Sequence, residues 1–419
     1  MQSCALHPGS RPGRPTHRLG FLLPLSLVAA ALGCREDAES PTAPESSPAL
    51  DATAATALAF YQVSGGWNHT CGVTSDNRVY CWGRNSEGQL GDGTTTRRLI
   101  PVPIGGTLRF RQISASFSST CGVTTDYRAY CWGANYRGEL GDGTTSPHLR
   151  PAPVVGGRQF RHVEMSFEHT CGVTYPSNRV YCWGANEYGQ LGLGTNTGPE
   201  TAPYGPYSSR PVAVIGGLTF RQVSAGYWHT CGVTTDDRVF CWGWNRYGQV
   251  GDSSQAWLRL KPYRVAGTRQ YRQVDAGRDF TCAVTTGNRG FCWGYGKVGE
   301  LGIGTASSSR FPKAVAGGLS FERVTAGAFH ACGETTLNRA YCWGINGAGN
   351  IGDGTTVTRL APVAVIGGLS FSQLSAGGVH TCGRTPAAVA YCWGGGFEGQ
   401  LGNGTAGNSS RPVAVAGTM

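Results

Sequence analysis

The sequence predicts an all-β fold in which one small antiparallel unit is built seven times. Three observations carry this. Fourteen of the sixteen cysteines fall into seven pairs, one in each copy of a unit about fifty residues long. Short β-branched and aromatic runs alternate with Gly, Asp and Asn turns, and no stretch has helical period. The chain also holds 65 glycines, which supply the tight turns that such short strands need.

Along the chain, residues 1–33 read as an export signal. Arg11, Arg14, His17 and Arg18 form a basic stretch without an acid, and an apolar run from Phe21 to Gly33 follows. About thirteen residues are too few to span a bilayer, which needs roughly twenty, and suit a signal-peptide core. The run ends Ala31-Leu32-Gly33-Cys34, which resembles a bacterial lipobox, although Leu32 lies one place later than the usual leucine. Cys34 is therefore the expected lipidation site, with plain cleavage that leaves Cys34 unmodified as the alternative. Residues 34–57, rich in Glu, Ser, Pro, Ala and Thr, have little to bury and read as a disordered tether. The expected home is the bacterial cell envelope, as a lipoprotein, or the outside of the cell.

Residues 58–419 hold the repeats. In the second unit Cys121 and Cys131 lie symmetrically about Asp126, as residues facing across a hairpin would. Facing positions place β-carbons about 4.5–5.5 Å apart, near the range at which a disulfide closes. The expected bridges are Cys71–Cys81, Cys121–Cys131, Cys171–Cys182, Cys231–Cys241, Cys282–Cys292, Cys332–Cys342 and Cys382–Cys392. The third pair has one extra residue, absorbed in the turn at Tyr175-Pro176-Ser177-Asn178. Metal is the rival reading, because His69, His169, His229, His330 and His380 each stand two residues before a first cysteine. Ser119 and Phe280 hold that place in the second and fifth units, which still keep both cysteines. Packed, hydrogen-bonded histidines are expected. Trp82, Trp132, Trp183, Trp242, Trp293, Trp343 and Trp393, each following a second cysteine, read as packing residues.

The string Val223–Thr234, with Tyr181–Thr195, resembles the repeat of the regulator of chromosome condensation family over about residues 58–419. The resemblance implies a seven-bladed β-propeller of four-stranded antiparallel blades. Arg411-Pro-Val-Ala-Val415 matches the segment that elsewhere precedes the Phe-x-Gln-Val strand, and Phe60-Tyr-Gln-Val63 has no such segment before it. The C-terminal strand is therefore expected to pair with the N-terminal blade and close the ring.

No catalytic motif stands out, and no cofactor or metal is expected. The Gly-Asp-Gly-Thr turns at Asp92, Asp142 and Asp353 invite a calcium reading, but Leu193, Ile303 and Asn403 stand at matching places, so tight turns are expected. Of the formal charge of +10, Arg11, Arg14 and Arg18 leave with the signal, and the other arginines are spread through the repeats without a dense basic cluster, which does not point to nucleic acid as a partner. A scaffold that binds another protein through loop aromatics at the cell surface is expected. The candidate binding surface is Trp67, Tyr136, Tyr188, Tyr204, Tyr207, Trp228, Trp244, Tyr247, Trp257 and Tyr295, with Thr195–Ser209 as the foremost contact loop. Two alternatives stay open: guanine nucleotide exchange on a small GTPase, which the resemblance implies, and binding or cleavage of polysaccharide.

Overall fold

In each unit four short strands pair in sequence order, so that each sheet follows the chain. The computed structural model describes residues 57–202 and 205–418. The expected signal, tether and Cys34 lie outside the described residues. The first blade comprises Phe60–Gly65, His69–Thr74, Val79–Gly83 and Arg98–Pro103, all antiparallel. Six more blades follow, and their innermost strands touch in succession until the seventh meets the first. The fold is a seven-bladed β-propeller.

Period-2 alternation does not describe these strands, because both faces of a blade are covered by neighbours. His69–Thr74 is buried at every position. The core is therefore seven inter-blade cores. One contains the first blade's disulfide, Val73 and Val79 together with Phe110, Ile113 and Trp132 of the second. Every one of the seven tryptophans is fully buried, and its indole N–H donates to a carbonyl of the preceding blade, as Trp132 does to Gln89 O at 3.0 Å. Gly91 sits against that indole at φ +69°, where a Cβ would lie 2.7 Å from Trp132 Nε1. Glycine there is required by both backbone and space.

Each cysteine pair occupies directly opposed positions in a strand register. All seven predicted disulfides are present, with Cα–Cα distances of 4.0–4.1 Å.

Ring closure differs from expectation. The C-terminal strand Ser409–Ala414 pairs with Ala390–Gly394 of its own blade, not with the N-terminal blade, whose fourth strand is Arg98–Pro103. The described strands, from the innermost Phe60–Gly65 to the outermost Ser409–Ala414, make seven whole blades. Ordinary inter-blade packing closes the seam: Phe60, Val63 and Trp82 pack with Cys382, Cys392 and Leu401. Trp82 Nε1 donates to Gln400 O at 2.9 Å, and Leu58 N donates to Gly417 O at 2.6 Å.

Candidate binding face and axial channel

Antiparallel order puts the loops after the first and third strands of every blade on one face. The turn after the second strand, and the connection to the next blade, lie on the other. In the first four blades the loop after the innermost strand carries Trp67, Phe117, Phe167 and Tyr227 at one register. Trp67 lies 5.2 Å from Phe117, 5.8 Å from Tyr227 and 6.1 Å from Phe329, between ring centroids. Tyr227 and Phe329 belong to the fourth and sixth blades, so Trp67 reaches across the axis and caps the channel. Arg278 lies over Phe329 at 4.9 Å and Tyr227 at 5.8 Å.

The cap continues outward. Phe167 meets Trp228 at 5.1 Å, Trp228 meets Tyr188 at 5.2 Å, and Tyr188 meets Trp244 at 4.7 Å. All of these rings are partly exposed. The fold thus joins Trp67, Tyr188, Trp228 and Trp244 into one array. Tyr247 and Tyr295 form a neighbouring pair at 5.0 Å. The other candidates stand apart. Tyr136 donates to Glu87 at 2.6 Å, and Trp257, 61% exposed, lies beneath Arg246. Tyr207 pairs with Glu200 in a hairpin, Glu200–Ala202 with Gly205–Tyr207, that adds a fifth strand to the third blade. This hairpin is what the stretch 195–209 builds; Tyr204 lies outside the described residues. Phe117, Phe167, Phe329 and Arg278 escaped the sequence reading. For Phe117, Phe167 and Arg278 the signal was a comparison of one register position across all units; Phe329 stands one place later, at the register of Trp228.

Beneath the cap a cavity of about 130 Å³ is lined by the innermost strands of all seven blades. It continues into a polar channel of about 710 Å³ on the other side. At one channel register five blades carry Ser64, Ser114, Ser224, Thr325 and Ser375. Each hydroxyl accepts the next blade's N–H, as Ser64 Oγ does from Ala115 at 2.9 Å. The third and fifth blades carry Glu164 and Asp275 there instead. Burial pushes Glu164 up to about 8. Burial, then the charge of Glu164, pushes Asp275 up to about 7. Glu164 is 32% exposed, but only to a channel whose walls surround it. His162 Nε2 lies 3.3 Å from Glu164 Oε1.

The five repeat histidines are fully buried. His69 Nε2 meets Thr120 Oγ1 at 2.9 Å, and Thr120 donates its one proton to Gln89 O at 2.9 Å. Nε2 therefore carries the histidine proton. The same pairing recurs at His169–Thr230, His229–Thr281, His330–Thr381 and His380–Thr70. Burial lowers their pKa to about 3, or about 4 for His330. Phe280 breaks the pattern and faces Ala331, which offers no hydroxyl. With every neighbouring cysteine oxidised, these histidines have no thiolate partners for zinc. At the glycine-rich turn Asp92 accepts from Thr94 Oγ1 at 2.7 Å and from Arg98 Nη2 at 2.9 Å. Its carboxylate is spent on the turn.

A model of the RCC1-like domain matches residues 26–316. The chain belongs to the RCC1-like domain family. This RCC1-like propeller is 31% identical over 258 residues to the ultraviolet-B receptor UVR8 of Arabidopsis thaliana, covering 60% of this chain and 57% of that one. It is 33% identical over 139 residues to the probable E3 ubiquitin-protein ligase HERC4 of Homo sapiens, covering 33% and 12%. The chain thus spans about half of the first relative and a small part of the second. Among solved structures, human WBSCR16 superposes with TM-score 0.69 at 21% identity, over 77% of this chain and 85% of that one. Prp20p of Saccharomyces cerevisiae gives 0.69 at 17%, over 86% and 87%. The CRINKLY WD40 ectodomain of the Arabidopsis thaliana receptor kinase ACR4 gives 0.52 at 21%, over 81% and 97%. At these identities the likeness is one of fold.

Proposed function

We propose that this RCC1-like propeller is an exported protein-interaction scaffold, held at the bacterial cell surface by lipid on Cys34, and that it binds its partner through the aromatic face. The continuous array from Trp67 to Trp244 carries the reading. Large, partly exposed rings, each fixed by its neighbours, lose little entropy on binding and supply hot-spot chemistry. Seven disulfides are consistent with export, because cytosolic reductants keep thiols reduced. The hairpin at Glu200–Tyr207 stands beside the third blade as a further contact element.

The test compares wild type with the variant Tyr188→Ala/Trp228→Ala/Trp244→Ala as immobilised bait for labelled cell-envelope fractions. A partner captured by wild type and lost in a variant of unchanged melting temperature is the expected result. Equal capture by both removes the aromatic face from the account. Sugar binding is the second reading, favoured by the same rings, which suit stacking on pyranose faces; a glycan array with the same variant separates the two. Nucleotide exchange on a small GTPase requires a cytosolic or nuclear partner, which the disulfides disfavour. Nucleotide release from such a GTPase tests it directly.

A further inference from the structure

Seven copies of one unit let each blade act as a control for the others. In the innermost strand Gln62, Gln112, Gln222, Gln273 and Gln373 share one register. The amide bridges to the next blade: Gln62 Nε2 donates to Ile113 O and Gln62 Oε1 accepts Ile113 N–H, both at 2.9 Å. His162 stands there in the third blade and Arg323 in the sixth. In the second strand Val73, Val123, Val173, Val233 and Val284 share one buried register, which the sixth and seventh blades fill with Glu334 and Arg384. Three departures, Arg323, Glu334 and Arg384, thus gather in two adjacent blades, and Arg323 and Arg384 both line the open mouth of the channel.

Folding explains part of this cluster. Glu334 replaces the missing amide, and its Oε2 accepts Leu374 N–H at 3.0 Å. The rest is unspent. Glu334 is 3% exposed and its Oε1 has no partner; nor has the buried Nε of Arg384. Among the described residues neither Arg323 nor Arg384 is in an ion pair. The two guanidiniums instead repel: burial, then Arg323, lowers the basicity of Arg384. Glu334 is the acid acting on both. Arg111 lines the same mouth, stacked on Tyr127 at 4.5 Å, while Arg272 there is held by Glu322 at 3.2 Å. Exchanging buried valines for ions costs stability, and four blades build the same contact from Gln and Val alone.

We propose that the channel mouth at the sixth and seventh blades is an anion site in which Arg323 and Arg384 hold a phosphate ester group, with Arg111 on the same rim. Guanidinium forks match oxyanions in bidentate geometry. A phosphate monoester presents three acceptor oxygens and nearly two negative charges, which uses two forks better than one carboxylate does. Glu164 and Asp275 lie deeper in the channel and limit how far an anion enters.

The double variant Arg323→Gln/Arg384→Val restores residues that other blades use, so it is expected to melt no lower than wild type. Calorimetric titration with inorganic tripolyphosphate at low salt should show binding by wild type and affinity about tenfold or more weaker in the variant. Should the double variant fail to fold, the exposed single change Arg323→Gln serves under the same criterion. No binding by wild type, or equal binding by a folded variant, overturns the site. Glucose 6-phosphate and phosphatidic acid vesicles in separate arms assign the source, soluble ester or lipid headgroup, by which one loses affinity in the variant. Loss with neither overturns the ester assignment. This outcome is independent of the aromatic face, which lies at the opposite end of the channel.

Discussion

At the scale of single residues, the buried titratable groups set a distinctive pH dependence. The five repeat histidines are held neutral, with pKa near 3 to 4 against about 6.5 when unfolded. Their contribution to stability is complete above pH 6.5 and is lost as pH falls toward 3, because only the unfolded chain takes up the protons. Each histidine removes about 1.4 kcal/mol per pH unit in that window. The buried acids act in the opposite sense. Glu139, Glu300, Glu334 and Asp275 are raised to about 7 and Glu164 to about 8, by burial first. Their contribution is present at low pH and lost as pH rises from about 4.5 toward 8. Thermal melts should therefore show a plateau between about pH 4.5 and 6.5, a steep fall below it and a gentler fall above. Glu164→Gln/Asp275→Asn should flatten the upper limb; an unchanged limb would contradict the channel assignment. The natural pair Phe280 and Ala331 suggests a second check. His69→Phe alone should cost about 2–3 kcal/mol by overpacking and by removing the N–H that Thr120 Oγ1 accepts. Adding Thr120→Ala should recover most of it in chemical denaturation.

The second strand of each blade is the element on which stability concentrates. It is buried at nearly every position, it carries the first cysteine, and it supplies the histidine that binds the next blade and the threonine that binds the preceding one. Closing a loop of about ten residues, one bridge contributes roughly 2–3 kcal/mol in the chain-entropy model. Cys121→Ala/Cys131→Ala should lower stability by about that amount in denaturant titrations and leave the other six bridges intact. Every bridged cysteine has zero exposure, so dithiothreitol without denaturant should leave these fourteen cysteines unalkylated by iodoacetamide. Native-state labelling would mean that blades open singly. These features were legible in sequence because each is local: a cysteine and its partner lie ten or eleven residues apart, and a hairpin fixes their distance. The aromatic array was legible only in its parts. Trp67 meets Tyr227 and Phe329 because the ring brings remote blades to one axis, and no spacing along the chain encodes that. The arginines at 111, 272, 323 and 384 read as scattered charge, yet the ring gathers them around a single mouth.

For the whole molecule, the seam is the telling feature. The segment Arg411–Val415 was expected to complete the first blade, because a fourth-strand motif reads the same whether it ends one blade or opens the next. The seam is instead built like the other interfaces, Trp82 donating to Gln400 as Trp242 does to Gln190 at 2.8 Å. Trp82→Ala and Trp242→Ala should then destabilise alike, each by about 3–5 kcal/mol; a seam variant markedly milder than the other would show that the ring does not close as described. Closure matters for function because it holds two opposed faces in fixed register: an aromatic cap at one end and an arginine-rimmed mouth at the other. Both proposed sites depend on a ring in which each blade is stapled by its own disulfide. The most direct test is to block free thiols while lysing the native cells, isolate the protein, and map its disulfides by non-reducing peptide mass spectrometry. The account predicts seven linked peptide pairs, Cys71–Cys81 through Cys382–Cys392, with no blocked thiol among them. Blocked cysteines at these positions, or bridges between different blades, would contradict it.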